Sequence, residues 1–391
     1  MIVNEKRVNQ QIRNFEKALN GYSYTEPLAR YLTRFFKENK QMGSSDRRMT
    51  SRFCYNYFRL GNSLKSLTTI DRLVIAEYLC ENQSDVVTIF NAGLSETITE
   101  DLDSKIRNLS QLYDFKLIDV FPFSESLSDG IDSNDFFKSH FIQPDLFIRI
   151  KKGEESLVKD TLAKNEFDYV EVALNTLSLS NGAKLQSLSG VLGKYEVQDL
   201  SSQYTLSFMT NDVNASWWDA CAASGGKSLM LLDRYPKIDL MVSDVRLSIL
   251  RNLDERFEQA KVSRNYRKKV LDLTQDLTTI LGDEKFDGIL LDVPCSGSGT
   301  WGRTPEMIQQ FDETKLREFS VLQKAICSNV IPYIKQGKPL VYMTCSVYKE
   351  ENEEVVNYLA KEFGLEIERM ELIKGYNKKA DSMFAARLIK L

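Results

Sequence analysis

The sequence predicts an α/β protein: a mostly parallel sheet covered on both faces, preceded by a small α/β module and an N-terminal all-helical domain. Three observations carry this expectation. From Trp217 onward, short apolar runs alternate with amphipathic stretches of helical period, the order a parallel sheet with crossover helices requires. Over the first ~80 residues, apolar side chains recur at three- and four-residue spacing, one face of a helix at a time. The chain has 391 residues, too many for one ordinary core.

The helical part is read from Val8, Ile12, Phe15 and Leu19 on one face, then from Leu28, Leu32 and Phe35 on the next. Thr25 is expected to cap the second helix, with Pro27 in its first turn and Gly43 at its end. Ser44-Ser45-Asp46 offers a fresh cap, followed by Met49, Phe53 and Tyr57; a further helix carries Ile70, Leu73, Val74 and Glu77. From Glu81 to Ser139 the periodicity weakens, and SESLSDGIDSND reads as a loop or linker. LFIRI then reads as a strand, EESLVKDTLAKN as a helix and YVEVALNTLSL as a strand. In the last part WWDA, IDLMVSD, KKVLDL, FDGILLD, KPLVYMT and MFAARLIKL are the strands. Between them SLMLLDRY, Leu247 to Ala260, the run through Leu316, Phe319, Leu322, Ile326 and Val330, and ENEEVVNYLAKEF are the helices. The domain boundaries expected from this are 1–125, 136–205 and 206–391.

Hydrophobic residues make up 42% and charged residues 27%, which places the chain among ordinary water-exposed globular proteins. No apolar run approaches the roughly 18 residues of a membrane span, and MIVNEKRVNQQIR lacks the apolar stretch of a secretory leader. A cytoplasmic protein without membrane contact is expected. The six cysteines form no C-x-x-C pair, and His140 is the only histidine. No metal site is therefore expected, and the thiols should be free in a reducing compartment. The net charge of −4 counts against a uniformly basic surface of the kind phosphate contacts favour. KVSRNYRKK, Lys261 to Lys269, and a tail with Lys374, Lys378, Lys379, Arg387 and Lys390 are either local basic patches or solvated faces.

In open parallel sheets ligands bind beyond the carboxyl ends of the strands. Those ends carry Asp219, Asp244, Asp272 and Asp292. CAASGGK, Cys221 to Lys227, joins the first strand to its helix, and Gly225 and Gly226 let a ligand approach the backbone. Asp244 follows Gly225 by nineteen residues, a position that suits the two hydroxyls of a ribose. The loop is neither G-x-G-x-x-G nor a P-loop, since Cys221 stands where the P-loop's first glycine would be. An adenosine cofactor without a pyrophosphate fits better; a plain strand-to-helix turn is the alternative.

Two cysteines follow strands in the same half: Cys295 in Asp292-Val293-Pro294-Cys295, and Cys345 in Thr344-Cys345-Ser346. A cysteine at the mouth of a strand faces the cleft, where its thiolate can attack. Carbon 5 of cytosine becomes nucleophilic only after a thiolate adds to carbon 6. Such chemistry needs a thiolate, an acid at the base's N3 edge and a group that removes the carbon-5 proton. Asp292 can supply the second and Cys295 can share in the third. The target base must also leave its stack.

With these residues in place, the chain from about Asp145 resembles the Sun/RsmB-type (NOL/NOP/Sun) RNA cytosine-5 methyltransferases. DLFIRI, YEVQDLSSQ, DACAASGGK, LLDVPCSGSGT, GRTPE, YMTCSVYKEENEEVV and MFAARL carry the resemblance. It implies a Rossmann-like S-adenosylmethionine methyltransferase domain. It also implies Cys345 as the nucleophile, Cys295 as the residue that resolves the covalent enzyme–RNA adduct, and Asp292 at the target cytosine or the cofactor. S-adenosylmethionine would be held by Cys221, Ala222, Ala223, Ser224, Gly225, Gly226 and Lys227 with Asp244, Asp272 and Asp292. FFKENKQMGSSDRRMTSRFCYNYFR resembles the NusB-like RNA-binding domain of bacterial ribosomal members. That favours ribosomal RNA, 16S in particular, over transfer RNA as the partner, with the chain acting as a monomer. Ser224 departs from the family's proline in CAAPGGK, Val293 from its alanine and Ser298 from its threonine. None of these departures removes a reactive group.

Other readings stay open at this stage. A DNA cytosine-5 methyltransferase also uses a Pro-Cys nucleophile but needs no second cysteine in TCS. An RNA-binding assembly factor that lost its activity would not need Asp292, Cys295 and Cys345 intact. A nucleotide-dependent oxidoreductase is a weaker rival.

Overall fold

The computed structural model describes residues 4–209, 215–262 and 266–391. It divides into two compact units. The first is helical and comprises Met1–Glu125, Asp132–Gln143 and Thr300–Asp312. The second comprises Ser126–Ile131, Pro144–Gly299 and Glu313–Leu391. The stretch Thr300–Asp312, which holds the GRTPE motif, thus leaves the α/β part of the chain and packs among helices.

The helical unit begins with Glu5–Asn20, Leu28–Glu38, Ser44–Arg59 and Thr69–Cys80. Val8, Ile12 and Phe15 are buried, as their spacing requires. Thr25 does not cap the second helix: Pro27 occupies the N-cap, and Glu306 Oε1 accepts from the Leu28 N–H at 3.0 Å. Gly43 opens the third helix instead of ending the second, which stops at Glu38. The stretch from Glu81 to Ser139 is also more helical than its composition suggests. It holds Asp85–Phe90, Ala92–Glu96, Leu102–Tyr113 and Ser133–Ser139. Asn91, Asp101 and Asp132 are N-caps there, each accepting a backbone N–H at 3.0 Å, worth about 1 kcal/mol apiece. Polar residues that read as a loop are in part the starts of short helices.

Beneath them lies a core of Phe15, Phe53, Phe58, Leu73 and Tyr78, all closed to solvent. Arg59 crosses this core, donating to the His140 carbonyl at 2.8 Å and to Gln143 Oε1 at 2.9 Å. His140 is itself buried, and burial lowers its pKa to about 4. It is therefore a neutral core residue, with Nδ1 3.0 Å from the Phe136 carbonyl oxygen.

The α/β unit contains two sheets. The smaller has strands β1 (Leu146–Ile150), β2 (Tyr169–Ala173), β3 (Thr176–Leu179) and β4 (Tyr195–Val197) in the order β2-β3-β1-β4. YVEVALNTLSL is thus a hairpin of two strands, turning at Asn175 with φ +59°. The helix Glu155–Lys164 places Val158 and Leu162 against Ile148 and Leu177.

The larger sheet has β5 (Ser216–Asp219), β6 (Asp239–Asp244), β7 (Arg267–Val270), β8 (Gly288–Asp292), β9 (Pro339–Thr344), β10 (Leu365–Ile373) and β11 (Met383–Lys390). Their order is β10-β11-β9-β8-β5-β6-β7. The run from β9 to β7 is parallel, while β11 pairs antiparallel with β9 and β10. Strand β10 has no counterpart in the sequence reading. It is an edge strand, and the charges of Glu366, Glu368, Arg369 and Glu371 interrupt its apolar pattern.

Trp217 and Trp218 point to opposite faces of β5 and are both fully buried. Leu229, Leu231, Leu250, Leu253 and Phe257, from the helices Gly226–Arg234 and Leu247–Gln259, cover one face. Ile326, Val330, Val355, Val356 and Leu359, from Glu313–Val330 and Glu353–Phe363, cover the other. A sheet closed on both sides leaves its strand ends as the place for chemistry.

Candidate active site

Neighbouring strands β6, β5, β8 and β9 end, in that spatial order, in Asp244, Asp219, Asp292 and Thr344-Cys345. The sheet therefore gathers four of the functional positions at one edge. Asp272 lies two residues beyond the end of β7 and is exposed.

The loop after β5 is fixed largely by its backbone. Ala222 N donates to the Ser243 carbonyl at 2.9 Å, and Gly225 N to the Ala222 carbonyl at 2.8 Å. Ala223 and Gly225 both have positive φ, +47° and +79°. A Cβ at Gly225 would lie 2.6 Å from the Phe257 ring and 2.9 Å from Leu253, so close packing and conformation both demand glycine there. At Gly226 a Cβ would come within 3.2 Å of Arg256 Nη1. Ser224 makes only a long contact, 3.4 Å from Arg256 Nη1.

Asp244 accepts from Ala223 N at 3.2 Å and from Arg246 N, Nε and Nη2 at 2.9, 3.0 and 3.2 Å. Asp272 accepts from the Thr274 N–H and hydroxyl at 3.0 and 2.7 Å, which hold its pKa low. Both side chains stand at the strand ends near the glycine loop. The side chains present fit an adenosine cofactor, with acids at the strand ends for ribose hydroxyls.

Asp219 lies deeper. Its Oδ2 accepts from the Ser228 hydroxyl at 2.6 Å, and its Oδ1 is buried without a partner. Burial pushes its pKa up to about 7. It braces the start of the following helix from beneath.

Lys227 reaches out of the same loop to Asp292, with Nζ–Oδ2 at 2.5 Å. Burial opposes the charge on this lysine, but the Asp292 carboxylate outweighs it, and the net effect is a raised pKa. One ion pair thus joins the loop after β5 to the end of β8.

The two cysteines converge. Cys295 Sγ and Cys345 Sγ lie 3.3 Å apart, each only partly buried. Their loops are laced by Gly299 N to the Cys345 carbonyl at 2.8 Å and Val347 N to Ser298 Oγ at 2.9 Å. The hydrogen bond with Cys345 and burial together push the Cys295 thiol well up, so Cys295 keeps its proton at neutral pH. The remaining thiols are of a different kind. Burial raises Cys54 and Cys80 to about 12 and holds Cys221 and Cys327 well above the ordinary range.

The basic patches separate into two kinds. In Lys261 to Lys269, Arg267 pairs with Asp239 and Glu284, and Lys268 with Asp254, while Arg264 lies outside the described residues. In the tail Arg387 pairs with Glu368, and Lys390 donates to the Ile331 carbonyl at 3.2 Å. Lys374 and Lys378 are exposed and line a cavity of about 1070 Å³ together with Lys152 and Arg234. None of the cysteines and none of the strand-end acids lines that cavity.

A sequence model described as "16S rRNA methyltransferase RsmB/F" matches residues 204–389. Over that segment the chain is similar to the RsmB/F methyltransferases. It is 30% identical over 224 residues to a ribosomal RNA small subunit methyltransferase B of Enterobacter sp. (strain 638), covering 55% of this chain and 50% of that one. It is 35% identical over 161 residues to one of Xylella fastidiosa (strain Temecula1), covering 41% of this chain and 37% of the other. The matched region thus spans half or less of these curated relatives. Among solved structures, PH0851 shares the fold with TM-score 0.72 at 20% identity, covering 97% of this chain and 98% of that one. NSun6 from Pyrococcus horikoshii, solved with SFG, does so with TM-score 0.60 at 17% identity, covering 68% and 96%.

The sequence reading missed three things at this site. One is the Asp219–Ser228 brace. Another is Arg246 seated on Asp244. The third is the polar network under the cysteine loops. Only the third had a visible signal, since Glu351 lies in the quoted ENE stretch six residues after Cys345.

Proposed function

We propose that this chain transfers a methyl group from S-adenosylmethionine to carbon 5 of a cytosine in RNA, through a covalent bond between Cys345 and carbon 6 of the base. Two sulfurs 3.3 Å apart at the mouth of adjacent strands, one of them held as a thiol, are the observation that carries this reading. When bound, S-adenosylmethionine supplies an electrophilic methyl group. Asp244 and Asp272 would hold its ribose and adenine side, and residues Cys221 to Lys227 would pass beneath it.

The chain's own residues do the rest. The Cys345 thiolate adds to carbon 6, and the electron pair displaced from the C5–C6 double bond makes carbon 5 nucleophilic. Asp292, oriented by Lys227, would act at the N3 edge of the base and deliver a proton to N3, neutralising the negative charge that develops there as the thiolate adds. After methylation a solvent base takes the carbon-5 proton, the freed electron pair re-forms the C5–C6 double bond, and Cys345 leaves carbon 6 as a thiolate. Cys295, in contact with the Cys345 sulfur, is placed to assist that release.

Ribosomal RNA of the small subunit is the proposed substrate, in line with the names of the relatives. A cytoplasmic monomer is the proposed form; among the described residues no helix is long and apolar enough to cross a membrane. The site residues, the 1–125, 136–205 and 206–391 domain roles and the NusB-like function of the helical part belong to the same proposal. It is tested by incubating the full chain with methyl-labelled S-adenosylmethionine and small-subunit ribosomal RNA, then digesting to nucleosides. Label in 5-methylcytidine is expected. Label in another nucleoside, or none in any RNA, contradicts the reading.

A further inference from the structure

Under the two cysteine loops lies a carboxylate that the mechanism does not use. Glu351 is fully buried. Its Oε1 accepts from Ser296 N at 2.8 Å and from Gln323 Nε2 at 3.0 Å, and its Oε2 accepts from the Ser296 hydroxyl at 2.5 Å and from the Ser346 hydroxyl. Ser296 and Ser346 are the residues that directly follow Cys295 and Cys345. One carboxylate is therefore bonded to the next residue after each cysteine.

The surrounding bonds make the arrangement specific. Ser296 Oγ and Ser298 Oγ each lie 3.2 Å from Ser346 Oγ. The Tyr342 hydroxyl donates to the Glu351 carbonyl at 2.6 Å, and Gln323 Nε2 also donates to the Pro294 carbonyl at 2.9 Å. Next along the chain, Asn352 accepts from Thr344 Oγ1 at 2.5 Å and donates to the Ser346 carbonyl at 3.0 Å. Four donor contacts of this buried network converge on one carboxylate, and losing that acceptor leaves several groups unpaired at once.

We infer that Glu351 is a positioning residue that ties the Cys295 and Cys345 loops together and so fixes which of the two sulfurs attacks. It touches neither sulfur through a hydrogen bond of its own, so it acts through the two serines. Its charge works in the same direction: it is one of the groups that keep the Cys295 proton in place. The division of labour between the cysteines then depends on a residue outside both motifs' reactive atoms. This inference rests on the cytosine reading for its link to turnover, but not for its effect on the thiols.

The test compares Glu351→Gln and Glu351→Asp in the full chain. The amide preserves volume but turns one acceptor into a donor, so it cannot accept both from the two serine hydroxyls on one side and from Ser296 N and Gln323 Nε2 on the other. Expected for Glu351→Gln is a fall in kcat of about tenfold or more, with S-adenosylhomocysteine affinity unchanged within about twofold. Iodoacetamide labelling of each cysteine, followed by peptide mass spectrometry from pH 6 to pH 9, needs no RNA. In the wild-type chain Cys345 is expected to label ahead of Cys295; in Glu351→Gln that preference narrows and Cys295 labels at lower pH. Glu351→Asp, which keeps the charge, restores part of the preference.

An unchanged labelling ratio in a folded Glu351→Gln overturns the inference. So does a loss of kcat matched by equal losses in cofactor affinity and thermal stability, with Glu351→Asp no better. Should Glu351→Gln not fold, Ser346→Ala removes one donor to the same carboxylate and must shift the ratio the same way. A shifted ratio in a chain that methylates no RNA supports the positioning role and sinks the cytosine reading alone.

Discussion

The loop that would hold the cofactor and the loops that hold the cysteines sit at the same edge of one sheet, yet they are fixed by opposite means. The first is set by backbone. Two residues with positive φ, a glycine pressed against Phe257 and main-chain bonds to β6 define it, and side chains contribute little. The second pair is set by side chains, through three buried serines, Gln323 and Glu351. A backbone-built loop suits a ligand that must lie close to the chain whatever its neighbours do. A side-chain network suits two sulfurs whose separation and protonation both matter. Lys227 is where the two meet, through its ion pair with Asp292.

That contrast can be broken from either side. The largest effect should come from Gly225→Ala. A left-handed conformation costs about 1–2 kcal/mol for a residue with a Cβ, and the clash with Phe257 and Leu253 adds to it. Binding of S-adenosylhomocysteine, followed by calorimetry, should weaken by more than about a hundredfold. The relative iodoacetamide labelling of Cys295 and Cys345 should stay as in the wild-type chain. A change in that ratio would mean the two loops are not independent.

Lys227→Met probes the bridge. It leaves the Asp292 carboxylate without its partner, and losing one half of a partly buried pair is costly. Steady-state kinetics should show kcat lowered by about a hundredfold, with KM for S-adenosylmethionine changed only a few-fold. If KM rises and kcat holds, Lys227 belongs to the cofactor loop alone.

Asp219 sharpens the comparison through pH. Burial raises its pKa from 3.8 to about 7 in the folded chain. Between those values the unfolded chain has released the proton and the folded chain has kept it. The stability Asp219 contributes is therefore present below about pH 4 and is lost as pH rises towards 7. Denaturant melts of Asp219→Asn should gain on the wild-type chain progressively from pH 4 to pH 7. A constant difference across that range would show that the carboxyl does not titrate there.

The smallest effect is expected for Asp272→Ala. This exposed carboxylate bonds only Thr274 among the described partners. Stability should change by less than about 0.5 kcal/mol, and S-adenosylhomocysteine should bind no more than about tenfold weaker. A larger loss of affinity would give Asp272 a greater share of the cofactor than Asp244.

The same contrast explains what was legible in the sequence. Glycines and strand-end acids are local signals, so the loop after β5 and Asp219, Asp244 and Asp292 could be placed without a structure. Cys295 and Cys345 stand fifty residues apart, and their places after strands of the same half, with the family resemblance, brought them together. The partners of Glu351 were not legible, because a buried carboxylate in a charged ENE stretch looks like any solvated helix start. Strand β10 was hidden by the charges an edge strand carries. The short helices between Asp85 and Ser139 were hidden because Asn91, Asp101 and Asp132 signal caps and loops alike. The Thr300–Asp312 stretch could not be foreseen at all, since Glu306 serves a helix start 278 residues away.

The division of labour between the two sulfurs is tested most directly by replacing each one. Cys345→Ala and Cys295→Ala are incubated with S-adenosylmethionine and small-subunit ribosomal RNA and run on denaturing gels. Cys295→Ala is expected to accumulate a protein–RNA complex that survives denaturation, and Cys345→Ala to form none and to methylate nothing. A stable complex with Cys345→Ala, or full turnover by it, would contradict the assignment of Cys345 as the attacking group.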